Sequence, residues 1–256
     1  MVQTLAAALG KPLELVPDQS APSLDELPAF SMKNGRLQLP GTRLTKKQAL
    51  AVFLARYPLG FRDDSYLAEE RNYKWEAHQL WCKLLGGGEG ERLLAAGDTG
   101  ELGSRVLAVA TKTNLLHPNW DKAPLKDALK DHALATPYLR ALVELSAAPE
   151  PTQAQFEGYI DVLETLPHPG SAVASWPVAT IMLYLAQPQR HMIMRPSVSQ
   201  QAAVRFGFEL NYAPRPNWRT YSALQTMSQQ LLKELTPLGA RDLIDVQSYM
   251  WVISRS

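Results

Sequence analysis

Apolar residues recur at three- and four-residue intervals through most of the chain, the mark of helices that bury one face. Thr45 is suited to cap a helix in which Ala49, Leu50, Phe53 and Leu54 share a side, and Pro58-Leu59-Gly60 stops it after Arg56. Ser65 opens a second helix carrying the stripe Tyr66, Tyr73, Ala77, Leu80, Trp81 and Leu84, and Gly86-Gly87-Gly88 ends it. The same spacing predicts helices over 89–96, 100–113, 125–132 and 137–145, then over 153–166 behind the cap Thr152. Further helices are predicted over 176–186, 197–206, 221–235 and 240–253. Between them lie the turn 167–171, the loop 187–196 and an irregular stretch with Pro214 and Pro216. Period-two alternation is nearly absent, with 37–39 the one short strand signal. The expected fold class is all-α.

Residues 10–40 hold Pro12, Pro17, Pro22, Pro28 and Pro40 and few periodic apolars, so they read as an extended arm with one helical turn near Ser23 to Glu26. The clearest break further on is Ala147-Ala148-Pro149-Glu150-Pro151-Thr152. The expected organisation is therefore a Pro-rich arm over 1–44, an N-terminal helical lobe over 45–146, and a C-terminal helical lobe over 152–256 with a helix-turn-helix hairpin.

Composition narrows the classes. A hydrophobic content of 46% and a charged content of 20% exclude global disorder. The lone Cys82 excludes an internal disulfide and a cysteine zinc cage, and in its apolar helical context it reads as a buried, inert thiol. His78, His117, His132, His168 and His191 never fall at metal-ligand spacing, so neither a metal nor a cofactor is expected. Gly86-Gly87-Gly88 lacks the Gly-Lys-Ser/Thr of a phosphate loop, and no dinucleotide fingerprint occurs. No apolar run approaches the ~20 residues that span a bilayer, so no membrane partner is expected and a cytoplasmic location is the default. The run 176–187 suits a buried core helix.

Net charge is +1, which gives no overall pull toward nucleic acid. Locally the balance differs. Arg190, Arg195, Arg205, Arg215 and Arg219 face a single acid, Glu209, between 190 and 219, with Phe206, Phe208, Tyr212 and Trp218 among them. Cations with interleaved aromatics suit a phosphate backbone and unstacked bases.

The segment 160–253 resembles the helix-hairpin-helix DNA glycosylase superfamily. Leu166-Pro167 and Gly170 stand where that family has its hairpin, an apolar helix over 176–186 follows, then the loop 190–196, and Pro237-Leu238-Gly239-Ala240-Arg241-Asp242 resembles its closing helix. The resemblance implies a helical fold and DNA binding. It does not imply the activity: the position of the family's catalytic aspartate falls at Met194-Arg195-Pro196, and no carboxylate lies between Glu164 and Glu209.

Three further sets carry chemistry. Glu70, Lys74 and His78 at i, i+4, i+8 share a helix face; they could supply an acid, a cation and a titratable base, but read rather as a surface ion ladder. Asp242 and Asp245 could bind a divalent cation, accept protons or anchor a helix start, paired with Arg241 or Arg195. In 114–121, His117 and Trp120 could stack on a base, though such a Trp more often anchors its loop to the core.

The leading reading is a nucleic-acid-binding helical protein without glycosylase-type catalysis, its partner DNA or RNA. Gly170 and Ser171 would offer backbone amides to a phosphate, Arg190, Arg195, Arg215 and Arg219 the counter-charge, and Trp218 or Tyr212 a stacking ring. One alternative is a protein-interaction or regulatory scaffold, with Met192 and Met194 as exposed apolars for a protein partner. The other is a base-processing enzyme using Asp242 and Asp245, with His191 and Tyr184 as further acid/base candidates.

Overall fold

The computed structural model describes residues 31–33, 36–38, 43–148, 150–167 and 173–255. Its fold class is all-α. The helices are α1 (Lys46–Arg56), α2 (Asn72–Leu84), α3 (Glu89–Ala95), α4 (Thr99–Thr111), α5 (Ala123–Ala128), α6 (His132–Ala147), α7 (Gln153–Glu164), α8 (Trp176–Ala186), α9 (Pro196–Phe206), α10 (Trp218–Leu235) and α11 (Leu243–Arg255). Among the described residues the only strands are β1 (Ser31–Lys33) and β2 (Arg36–Gln38), an antiparallel pair with Ser31 opposite Gln38. Of the arm expected over residues 1–44, residues 1–30, with the expected helical turn, 34–35 and 39–42 lie outside the described residues, and so does most of the turn expected at 167–171.

Local chemistry explains the helix starts. Thr45 and Thr152 each close a capping box, with Gln48 and Gln155 reaching back to the cap amide. Ser175 caps α8 with Pro177 in its first turn, and Asn217 caps α10. Two starts differ from expectation. Asp63, not Ser65, accepts from the first turn that leads into α2, and a π-turn at Leu67–Arg71 intervenes. Asp131 caps α6 six residues before Pro137, so this proline sits inside the helix rather than at its first turn.

Helix α8 is the centre of the molecule. Val178 through Leu185 are all buried, and α8 packs against α2, α4 and α6. Helix α11 is nearly as enclosed, between α1, α9 and α10. The break at 147–152 joins α6 to α7, which pack on each other, and buried side chains from Ala49 to Ile253 form one hydrophobic cluster that includes both sides of it. No helix among the described residues is long and apolar enough to cross a membrane.

The helix faces are not all where the pattern put them. Met192 and Met194, expected at the surface, are fully buried. On α2 the buried face is Lys74, Ala77 and Trp81, while Tyr73, Leu80 and Leu84 are only half-buried. The Glu70–Lys74 pair therefore points inward, not to solvent. It does so because the facing stretch of α11 is itself polar, and a matched polar pair can be buried where an unmatched one cannot.

Candidate functional site

Two polar regions stand out, and they differ in accessibility. The first is a buried ion network between the start of α2 and the start of α11. Arg71 donates to both oxygens of Asp242, Nη1 to Oδ1 and Nη2 to Oδ2 at 2.8 Å each, and Nη1 also meets Asp245 Oδ1 at 2.8 Å. Tyr66 donates its hydroxyl to Asp245 as well. Arg241 closes the other side of Asp245 through its backbone amide (2.8 Å) and Nε (2.9 Å). One layer away, Lys74 Nζ donates to Glu70 Oε2 at 2.7 Å and Ser248 Oγ at 2.9 Å.

Three cations thus face three carboxylates. Burial works to lower the Arg71 pKa, but Asp242 and Asp245 outweigh it and hold the guanidinium above its usual value. For Lys74 burial wins over Glu70, and its pKa falls to about 8. Asp242 and Asp245 are 1% and 0% exposed and line neither the groove that holds Arg195 nor the hollow beside it. A general acid or base must reach its substrate, and these two are committed to holding α2 and α11 together. Asp242 also accepts from the amides of Ile244 and Asp245, the capping role open to an acid at a helix start. Arg241, not Arg195, supplies the pairing expected for Asp245.

The other acid/base candidates are enclosed too. Tyr184 is fully buried, and burial followed by the nearby Asp242 charge raises its pKa. His191 is buried, with its Nδ1 2.9 Å from the Tyr221 hydroxyl and 3.1 Å from Gln225 Nε2. Burial, then the charge of Arg190, lowers the His191 pKa to about 4, so it is neutral at pH 7. His78 Nδ1 donates to the carbonyl of Leu185 at 2.7 Å, satisfying the end of α8. Cys82, expected to be buried, is exposed on the surface of α2, 3.7 Å from His78 Nε2.

The arginines of 190–219 do not converge. Arg215 is spent on Glu164, with Nε and Nη2 at 2.6 and 2.7 Å from its two oxygens, and on Asp161 at 3.2 Å. Arg219 is exposed and donates to Asn211 at 2.6 Å. Arg190 is exposed beside α10, whose Gln225 donates to its carbonyl. Trp218 is half-buried against Phe156 and Tyr221, and Tyr212 packs on the core, so neither ring is free to stack on a base. Gly170 and Ser171 lie outside the described residues.

Arg195 is different. It is the N-cap residue of α9, half-buried, and lines a groove of about 250 Å³ with Asn114, His117, Pro118, Asp121 and Ser197. A second hollow of about 400 Å³ shares Asn114, Leu116 and Pro118 with it and adds Tyr73, Lys112 and Lys122. No carboxylate among the described residues lies within ion-pair distance of Arg195, and its positive charge is felt by Tyr73 and Lys74. The one acid in the first groove, Asp121, has both oxygens occupied, by Ser175 Oγ (2.6 Å) and the His117 amide (2.8 Å).

Next in the chain to Asp121, and with its ring centroid 6.2 Å from that of the groove residue His117, stands the most exposed large aromatic among the described residues. Trp120 is 64% exposed, so it does not anchor its loop to the core. The loop is held instead by His117, whose Nδ1 accepts from the amides of Asn119 and Trp120 at the start of the π-turn Pro118–Lys122. Lys122 reinforces it by donating to the carbonyl of Thr113 at 2.6 Å. The sequence reading missed Lys112 and Lys122; their place on either side of 114–121 was the available signal. Among the described residues no group of three or more His, Cys, Asp or Glu is placed to hold a metal ion. No family model, no curated protein and no solved structure matches the chain.

Proposed function

We propose that this protein binds single-stranded nucleic acid, without acting on it, across the face that holds the Arg195 groove and the neighbouring Trp120. The carrying observation is the exposed Trp120 ring beside a groove whose arginine has no carboxylate partner among the described residues. An unstacked base gains from an exposed indole whatever its identity, while Arg195 offsets backbone charge. No side chain caps the first turn of α9, which leaves the amides of Ser197 and Val198 to complete phosphate coordination beside Arg195. A duplex hides its bases from such a ring, so the preference is for single strands.

Fluorescence anisotropy of labelled single- and double-stranded DNA and RNA, at low and near-physiological salt, tests this. Single strands should bind more tightly than duplexes, and W120A should weaken them by about 5- to 100-fold, the range for one lost stacked base. A flat titration with every nucleic acid at low salt would sink the proposal.

A further inference from the structure

A third concavity lies at the other end of α9 and is of another kind. It is a groove of about 370 Å³ between α1, the end of α9, and α10, with a floor of Leu50, Phe206, Phe208, Leu231 and Leu235. Its rim is basic at one edge. Lys46 is exposed and shared with Glu234 at 2.7 Å, while Lys47 has no carboxylate among the described residues within ion-pair distance.

We infer that this groove is the docking site of the chain's own residues 24–30, with Leu24, Leu27 and Phe30 on the apolar floor and Asp25 and Glu26 against Lys46 and Lys47. Three observations converge on that occupant, none of which depends on the nucleic-acid reading.

The first is delivery. Leu44 lines the groove, and its amide donates to the Arg205 carbonyl at 2.8 Å. Arg43 lies over Gly207, whose φ of +65° ends α9 in a left-handed turn with no side chain to obstruct the crossing. The chain therefore leaves the folded body at the rim. The register Ser31 opposite Gln38 then turns the chain back on itself. Five residue steps from 39 to 44 span at most ~17 Å, which keeps 24–30 within reach of the groove.

The second is pattern. Leu24 and Leu27 stand at i, i+3 with Phe30 a further three on, the spacing of anchors that an amphipathic segment lays into an apolar groove. Ser23 and Glu26 are spaced as a capping box, and Pro28 limits the turn.

The third is charge. Between the apolar anchors the segment carries two acids and no base, and the groove's rim carries two lysines against one glutamate.

Zero-length carbodiimide cross-linking of the full chain, read by mass spectrometry on a mixture of ¹⁴N- and ¹⁵N-labelled protein, tests the inference. Cross-links from Asp25 or Glu26 to Lys46 or Lys47 should form within single chains. They should fall at least several-fold in the variant L24S/L27S/F30S, which keeps every carboxylate and lysine. The Lys112–Glu76 cross-link, from an ion pair at 3.0 Å, should be unchanged in that variant and reports that the body is still folded. Three outcomes would each overturn the inference: no such cross-link, cross-links only between chains, or intrachain cross-links indifferent to the triple substitution.

Discussion

Arg71 and Asp242, 171 residues apart, meet as a bidentate pair with both contacts at 2.8 Å and less than a tenth of either side chain exposed. Their pairing joins the π-turn that leads into α2 to the start of α11. Because both charges are out of water, removing one leaves the other without compensation, and that cost exceeds any attraction lost. R71M should therefore lower the unfolding free energy by about 3–5 kcal/mol, read from urea denaturation at pH 7. A loss below ~1 kcal/mol, the value typical of an exposed ion pair, would show that water reaches the network.

Glu70 and Lys74 form the adjoining pair, and here the prediction concerns sign. The Lys74 pKa is about 8 in the folded chain against 10.5 for a free lysine. Between those values the unfolded chain binds more protons, so stability contributed by this site rises with pH across the window, and the full cost of burial is felt below it. K74M should abolish that rise and, by stranding Glu70, destabilise at pH 7. E70Q/K74M should recover most of the loss, since a buried pair replaced on both sides is close to neutral. A double variant no more stable than K74M would contradict this account.

Both pairs show where the sequence was legible. The helices over 46–56, 153–164 and 176–186 followed from caps and spacing, because those signals are local. The ion network was not, because a polar stripe on α2 reads as solvent-facing until the polar stripe of α11 is known to face it. Glu70, Lys74 and Arg71 gave no local sign of burial. Trp120 failed in the opposite direction: aromatic rings are buried on average, and only the His117 and Lys122 contacts, which hold its loop without it, free the ring for solvent. The run of arginines misled for a related reason, since Glu164 and Asp161 neutralise Arg215 from half a hundred residues upstream.

His191 supplies a second pH signature. Its folded pKa of about 4 lies below the free value of 6.5, so between them only the unfolded chain takes up the proton. Stability should fall as pH drops through that window, by up to about 3 kcal/mol from this residue. Urea midpoints of the wild type and H191Q between pH 7 and 4 should converge as the pH falls, since glutamine does not titrate. Parallel curves would mean that His191 takes up its proton as readily in the folded chain as in the unfolded one.

The two arginines closest in expectation should separate most clearly by experiment. Arg195 lies in the groove beside Trp120 without a carboxylate partner among the described residues, whereas Arg215 is held by Glu164 and Asp161. A phosphate can take Arg195 without breaking an ion pair, but it must compete with two acids for Arg215. R195A should therefore weaken single-strand binding and lower the slope of log affinity against log salt by about 1, as one phosphate contact is lost. R215A should leave both affinity and slope unchanged. If R215A were the more damaging, the phosphate path would run along the face of α7 and the irregular segment instead, and the Trp120 groove would have no part in binding.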